Sequence, residues 1–113
     1  MSCLFCDIVN KKIPVKVVYE SSDVLAFYDI APQAPHHILV IPKQHINDIL
    51  AFQAKDVTLW ANLLTAIHAV CHNIDPHHNG FRVVTNSGLH GGQTVNHLHF
   101  HVLSGRQLSW PPG

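Results

Sequence analysis

In the stretch NHLHFHVLSGR, residues 96–106, His97, His99 and His101 occupy alternate positions, with Leu98, Phe100 and Val102 between them. Alternate residues of a strand project to one face and lie roughly 6.6 Å apart, so the spacing predicts a row of three imidazoles backed by an apolar face. A solvated sheet face normally mixes Thr, Lys, Glu and Ser, and this run does not. A metal site draws on imidazole, the commonest zinc ligand, but three in-line ligands spread too far for one ion unless other residues join two of them. Covalent catalysis uses a neutral imidazole nitrogen as nucleophile, with flanking groups that fix its tautomer and stabilise charge. The preceding HGGQT, residues 90–94, favours this last chemistry, because Gly91 and Gly92 let backbone amides approach an anion such as phosphate.

The elements that must hold this row can be read from the same chain. VKVVYESSDVLAFYDI, residues 15–30, reads as a hairpin of two β-rich runs around Ser21, Ser22 and Asp23. Residues 37–41 read as a central strand, entered through Pro32 and Pro35 and stopped at Pro42. From 55 to 74 the period changes: Trp60, Leu63, Leu64, Ile67, Val70, Cys71 and Ile74 keep one helical face, with Asp56 near its start. Cys71 then serves as a small buried hydrophobe. NIDPHHNG (73–80) and SGLHGGQT (87–94) read as loops, FRVVTN (81–86) as a fourth strand, and 97–103 as the histidine strand. Trp110, in the tail RQLSWPPG, is costly to leave in water and should dock on this chain or on a partner.

A length of 113 residues suits one domain, 1–113, with a real core. Charged residues make up 12% of the chain, against roughly 25% in average usage. Seven Lys and Arg balance seven Asp and Glu, which leaves no electrostatic footprint for nucleic acid or an anionic membrane. The 11 histidines are the compositional outlier and point to chemistry or metal. With no signal-peptide pattern at the start and no apolar run near ~18 residues, a cytoplasmic location is expected, where Cys3, Cys6 and Cys71 stay as thiols.

The run HLHFHVL fits the signature His-x-His-x-His followed by apolar residues, and the chain resembles the histidine triad (HIT) superfamily, Hint branch, the histidine triad nucleotide-binding proteins. The likeness extends over LFCDIVNKKIP, LAFYDIAPQAPHHILVIPKQH, FRVVTNSG, GGQTVNHLHFHVL and GRQLSWPPG, in that order. It implies an α+β, HIT-like fold: a five-stranded antiparallel sheet with one long helix and a short N-terminal helix, dimerising into a continuous sheet.

The resemblance also implies roles. His99 would attack the α-phosphorus of a nucleoside monophosphate joined to an amine, and the nucleotidyl-histidine would then be released by water. His101 would contact the phosphate oxygens, and His97 would orient the row from behind. His37, on the strand across from the triad, would set the tautomers of its neighbours while also being a buried, hydrogen-bonded core histidine. Asp29 is by position a turn residue; in the family such a carboxylate accepts both ribose hydroxyls. Phe5, Ile8, Ile13, Phe27 and Ile30 would form an apolar slot for a purine ring, or simply core. Asn86, Gly92 and Gln93 would border the phosphate or leaving group. Thr94 falls where many members carry serine and keeps a hydroxyl for proton donation to the leaving amine. Asn96, where an aromatic often precedes the triad, departs from the pattern, and Tyr28 stands at a position where this branch varies; both bear on substrate preference. Trp110 would reach the partner's site in a homodimer.

Cys3 and Cys6 form a Cys-x-x-Cys pair, alone a weak signal at a chain start. In some bacterial relatives that carry it, the pair binds structural zinc with two histidines, here corresponding to His45 and His97, a closed tetrahedral set. The expected function is therefore a purine nucleoside phosphoramidase, cleaving P–N bonds of the adenosine 5′-phosphoramidate or acyl-adenylate type, with no cofactor in the chemical step. The alternatives are a dinucleoside polyphosphate hydrolase or nucleotidyl transferase of another branch, and a nucleotide-binding regulatory module.

Overall fold

Val24, Leu25, Ala26 and Phe27 are all buried, as are His37 to Pro42, so the two middle strands read as unbroken apolar runs because both faces of the sheet are covered. The computed structural model describes residues 3–113. Its elements are α1 (Leu4–Val9), β1 (Val17–Glu20), β2 (Val24–Tyr28), β3 (His36–Pro42), α2 (Val57–Ile74), β4 (Phe81–Val84) and β5 (Phe100–Ser104). The strands form one antiparallel sheet in the order β1-β2-β3-β5-β4. Together with α2 and the short α1 this is the α+β architecture expected, and no helix among the described residues is long and apolar enough to cross a membrane.

Strand alternation divides the core in two. Val24, Ala26, Ile38, Val40, Phe100 and Val102 face α2, where Leu63, Ala66, Ile67 and Val70 meet them. Leu25, Phe27, Leu39 and Ile41 face the other way, against Phe5 and Ile8 of α1. Cys71 is buried in the α2 layer, and burial with the nearby Asp75 charge raises its thiol above the ordinary range, which keeps it inert.

Several boundaries differ from the sequence reading: β3 runs His36–Pro42, taking in Pro42 as its last residue, and β5 ends at Ser104 rather than at 103. The helix begins at Val57, after a separate 3₁₀ turn at Ala54–Asp56, and β4 ends at Val84 rather than at 86. The histidine strand begins at Phe100, not at 97, so of the triad only His101 lies within the hydrogen-bonded ladder. The reason sits in the neighbours. The register Val40↔Phe100 would place Leu98 opposite Pro42, which has no N–H to donate. Side chains then take over from the ladder: His97 Nε2–H donates to Pro42 O at 2.8 Å, and Thr85 Oγ1–H donates to His99 O at 2.8 Å. The alternation itself survives, because Leu98 is buried in the α2 layer together with Phe100 and Val102.

Candidate active site

His99 is 4% exposed and lies edge-on to the Phe5 ring, with centroids 5.0 Å apart. Its Nδ1–H donates to the His97 carbonyl at 2.8 Å. A carbonyl only accepts, so the ring proton is held on Nδ1 and the Nε2 lone pair is left bare. That is the tautomer a nucleophilic imidazole needs.

His101 stands beside it, ring centroids 5.0 Å apart, and its proton is fixed by a second set of bonds. The Gln33 main-chain N–H donates to His37 Nδ1 at 3.0 Å, which forces the His37 proton onto Nε2. His37 Nε2–H donates to His101 Nδ1 at 2.8 Å, so His101 carries its own proton on Nε2. Burial and the neighbouring His99 and His37 rings push the His101 pKa down to about 4, against an opposing pull from Asp29. Burial likewise lowers His37, with Asp29 opposing. Both rings are therefore neutral at neutral pH. A bare Nε2 on His99 next to an Nε2–H on His101 gives a nucleophile and a hydrogen-bond donor side by side.

Asp29 lies 3.6 Å from His37 Nε2 through Oδ2, while Oδ1 accepts the Ala31 N–H at 2.8 Å. The turn role and an open oxygen thus coexist in one carboxylate. Phe5, Ile8 and Phe27 are buried together with Ile13 at their margin, whereas Ile30 is 94% exposed and stands apart from them. Asn86 is half-buried at the end of the segment after β4. Gly92 has φ +79°, and a Cβ on Gly91 would run into the Ser87 carbonyl, so this loop closes only with glycine at those positions. The Gln93 amide is spent on the same loop: it donates to Asn47 O at 2.7 Å and Val95 O at 3.0 Å and accepts from Gly88 N–H at 3.0 Å. Thr94 is exposed, on the wall of a groove shared with Cys3, Cys6, His45 and Asn96. Trp110 is 82% exposed, so it fills no core on its own chain.

Behind the row, His97 is fully buried. With Nε2–H committed to Pro42 O, its Nδ1 lone pair points at the Cys3 and Cys6 sulfurs, 3.4 and 3.6 Å away. His45 repeats the pattern: Nε2–H donates to Asn47 Oδ1 at 3.1 Å, and Nδ1 lies 3.3 Å from Cys6 Sγ. The four donor atoms of Cys3, Cys6, His45 and His97 all lie within 4.8 Å of one another. Tetrahedral zinc with thiolate and imidazole ligands spaces its donors about 3.3–3.8 Å apart; the three sulfur–nitrogen distances above fall in that range, and two thiols with two imidazoles are a donor set that suits such an ion. Both imidazoles are also oriented from behind by oxygen acceptors, as metal-bound histidines are. Burial lowers His97, with the Pro42 bond opposing; burial and the Cys3 and Asp7 neighbours raise Cys6.

The structure adds residues that side-chain patterns did not single out. The Pro42 carbonyl holds His97, the Thr85 hydroxyl holds the His99 carbonyl, and the Gln33 main-chain N–H holds His37 beside the triad; two of these are main-chain atoms that no residue type announces.

Residues 2–109 match the family described as scavenger mRNA decapping enzyme C-term binding. The chain is 48% identical over 110 residues to an uncharacterized HIT-like protein of Synechococcus elongatus, covering 97% of this chain and 96% of that one. It is also similar to a solved HIT family hydrolase from Legionella pneumophila, with TM-score 0.94 and 46% identity over 99% of this chain and 100% of that one. A solved histidine triad protein from Clostridium difficile gives TM-score 0.90 and 41% identity, covering 96% of this chain and 95% of that one.

Proposed function

This chain belongs to the histidine triad family, and on that premise we propose that it is a purine nucleoside phosphoramidase of the Hint type. The observation that carries the reading is the fixed tautomer of His99, whose Nδ1–H is held by the His97 carbonyl while Nε2 stays free. In the first step His99 Nε2 attacks the α-phosphorus of an adenosine 5′-phosphoramidate; the P–N bond breaks, and the amine leaves with a proton. His101 Nε2–H stabilises charge on the phosphate oxygens, and the Thr94 hydroxyl relays the departing amine's proton, recovering its own from solvent. Water then attacks the nucleotidyl-histidine, releasing adenosine monophosphate and restoring the imidazole. Asp29 Oδ2 takes the ribose hydroxyls, and the apolar group around Phe5, Ile8, Ile13 and Phe27 takes the purine.

The test is incubation of the purified protein with adenosine 5′-phosphoramidate, with release of adenosine monophosphate and a nucleotidyl adduct followed by mass spectrometry. Wild type turns over, and His99→Ala loses at least about 10⁴-fold with no adduct. Nucleotide binding without turnover in the wild type would overturn the hydrolase reading.

A structural zinc held by Cys3, Cys6, His45 and His97 belongs to the same proposal, supported by the donor spacing. When bound it would supply a cross-link from α1 to the end of β3 and to the segment before β5, and no chemistry. Protein purified without chelator should carry about one zinc per chain by plasma mass spectrometry, and Cys6→Ser should lose it; metal-free wild type would count against the site. A homodimer completes the reading. It is supported by the apolar edge strand β4, where Phe81 and Val83 are exposed, and by a free Trp110.

A further inference from the structure

His101 can donate to a phosphate only while its proton is on Nε2. Were it on Nδ1, His101 would donate backwards to His37 and turn a lone pair on the phosphate oxygens. The order His37-to-His101 is imposed from one end by the Gln33 N–H, which can do nothing but donate. What aims that N–H therefore decides where the His101 proton sits.

Gln33 lies in the loop between β2 and β3, outside the sheet. Bonds within the loop shape it: Asp29 Oδ1 accepts from Ala31 N–H, and Gln33 Nε2 donates to Ala31 O at 3.0 Å. The loop is tied to β3 by Asp29 N–H donating to His37 O at 2.9 Å, and at Gln33 itself by Arg106, whose Nε–H donates to Gln33 O at 2.9 Å. Arg106 follows the end of β5, the strand that carries His101, so one strand presents the imidazole and, five residues on, the clamp on its tautomer. The adjoining contact is tight as well, because a Cβ on Gly105, at φ +100°, would stand 2.8 Å from Pro35 Cβ.

We propose that Arg106 is a positioning residue for phosphoryl transfer: through Gln33 it locks the tautomers of His37 and His101 and keeps a donor aimed at the phosphate. The role rests on the hydrolase reading of the site, while the lock is a property of the resting protein. A lost clamp leaves binding of the purine and ribose in place and lowers the chemical step, so kcat falls with KM little changed.

The test is long-range proton–nitrogen correlation NMR on protein labelled at histidine nitrogen, in wild type, Arg106→Ala, Arg106→Lys and Gln33→Pro, the last of which deletes the N–H itself. Each is paired with kcat and KM on adenosine 5′-phosphoramidate. Wild type should show both rings as Nε2–H. Arg106→Ala and Gln33→Pro should show mixed tautomers and about a tenfold lower kcat, with partial recovery of both readouts in Arg106→Lys. Wild-type tautomers in Arg106→Ala, even with a lowered melting temperature, would overturn the proposal, as would mixed tautomers at full kcat. If the tautomers shift as expected but the wild type does not cleave the phosphoramidate, the substrate reading falls and the lock stands.

Discussion

His101 shows how burial and hydrogen bonding act on one residue. Its pKa is pushed down to about 4, by burial first and by the His99 and His37 rings next. Protonation at Nδ1 would cost the bond from His37 as well as the desolvation already incurred. An unfolded chain holds histidine near its ordinary value of about 6.5. Between there and about 4 the unfolded state binds a proton that the folded ring refuses, so stability rises with pH across that window. The contribution is complete above the unfolded value and is lost as the pH falls toward the folded one. His37, lowered mainly by burial, acts in the same direction. Urea midpoints of wild type should thus drop from pH 7 to 4.5 more steeply than those of His101→Gln. Parallel curves would assign the acid sensitivity to other groups, His97 among them, since burial lowers it too.

At the scale of elements, the triad row was legible because side-chain parity persists beyond the hydrogen-bonded ladder. Leu98, Phe100 and Val102 stay on the α2 side although β5 begins only at Phe100. The strand's true start was not legible there, since it depends on the missing N–H of Pro42 in a different segment. The α2 stripe was readable for a similar reason: periodicity records which face is buried, and Leu63, Ile67, Val70, Cys71 and Ile74 are buried as spaced, while Leu64 at the stripe's edge remains 50% exposed. Leu63 is 0% exposed, so Leu63→Ala should cost about 3 kcal/mol by chemical denaturation; a change below about 1 kcal/mol would mean that the core collapses into the space. Gln93 was hidden in the opposite way. The family resemblance set it beside the phosphate or leaving group, while in the structure its amide closes the loop through Asn47 O, Val95 O and Gly88 N–H. Gln93→Glu would set a carboxylate oxygen against the Asn47 and Val95 carbonyls. It should therefore lower the melting temperature by several degrees, roughly 1–2 kcal/mol, and more than Gln93→Ala does; the reverse order by thermal scanning would show that the amide donors are dispensable.

At the scale of the whole molecule, the sheet is protected on its two faces and open at its edges. β2, β3 and β5 are interior, β1 and β4 are the edge strands, and an edge strand offers unpaired N–H and C=O groups to another chain. β4 adds apolar side chains to that offer, with Phe81 41% and Val83 39% exposed. The tail is tied to the same edge, since Arg82 of β4 donates from Nη2 to Ser109 O at 2.7 Å and so holds the residue next to the exposed Trp110. In the homodimer proposed above, a second copy pairing along β4 would bury this apolar edge, beside which Trp110 is held. None of this could be read from the tail's composition, which asks only that a tryptophan find cover; strand order decides which edge it lies beside. Light scattering should give twice the chain mass for wild type and the single mass for Val83→Glu, whose buried charge would oppose pairing, with far-ultraviolet circular dichroism unchanged. Val83→Glu and Trp110→Ala should both lower kcat/KM severalfold, but only the first should change the mass, because the tryptophan acts across an interface that it does not build. A monomeric wild type with full activity would place Trp110 outside the reaction altogether.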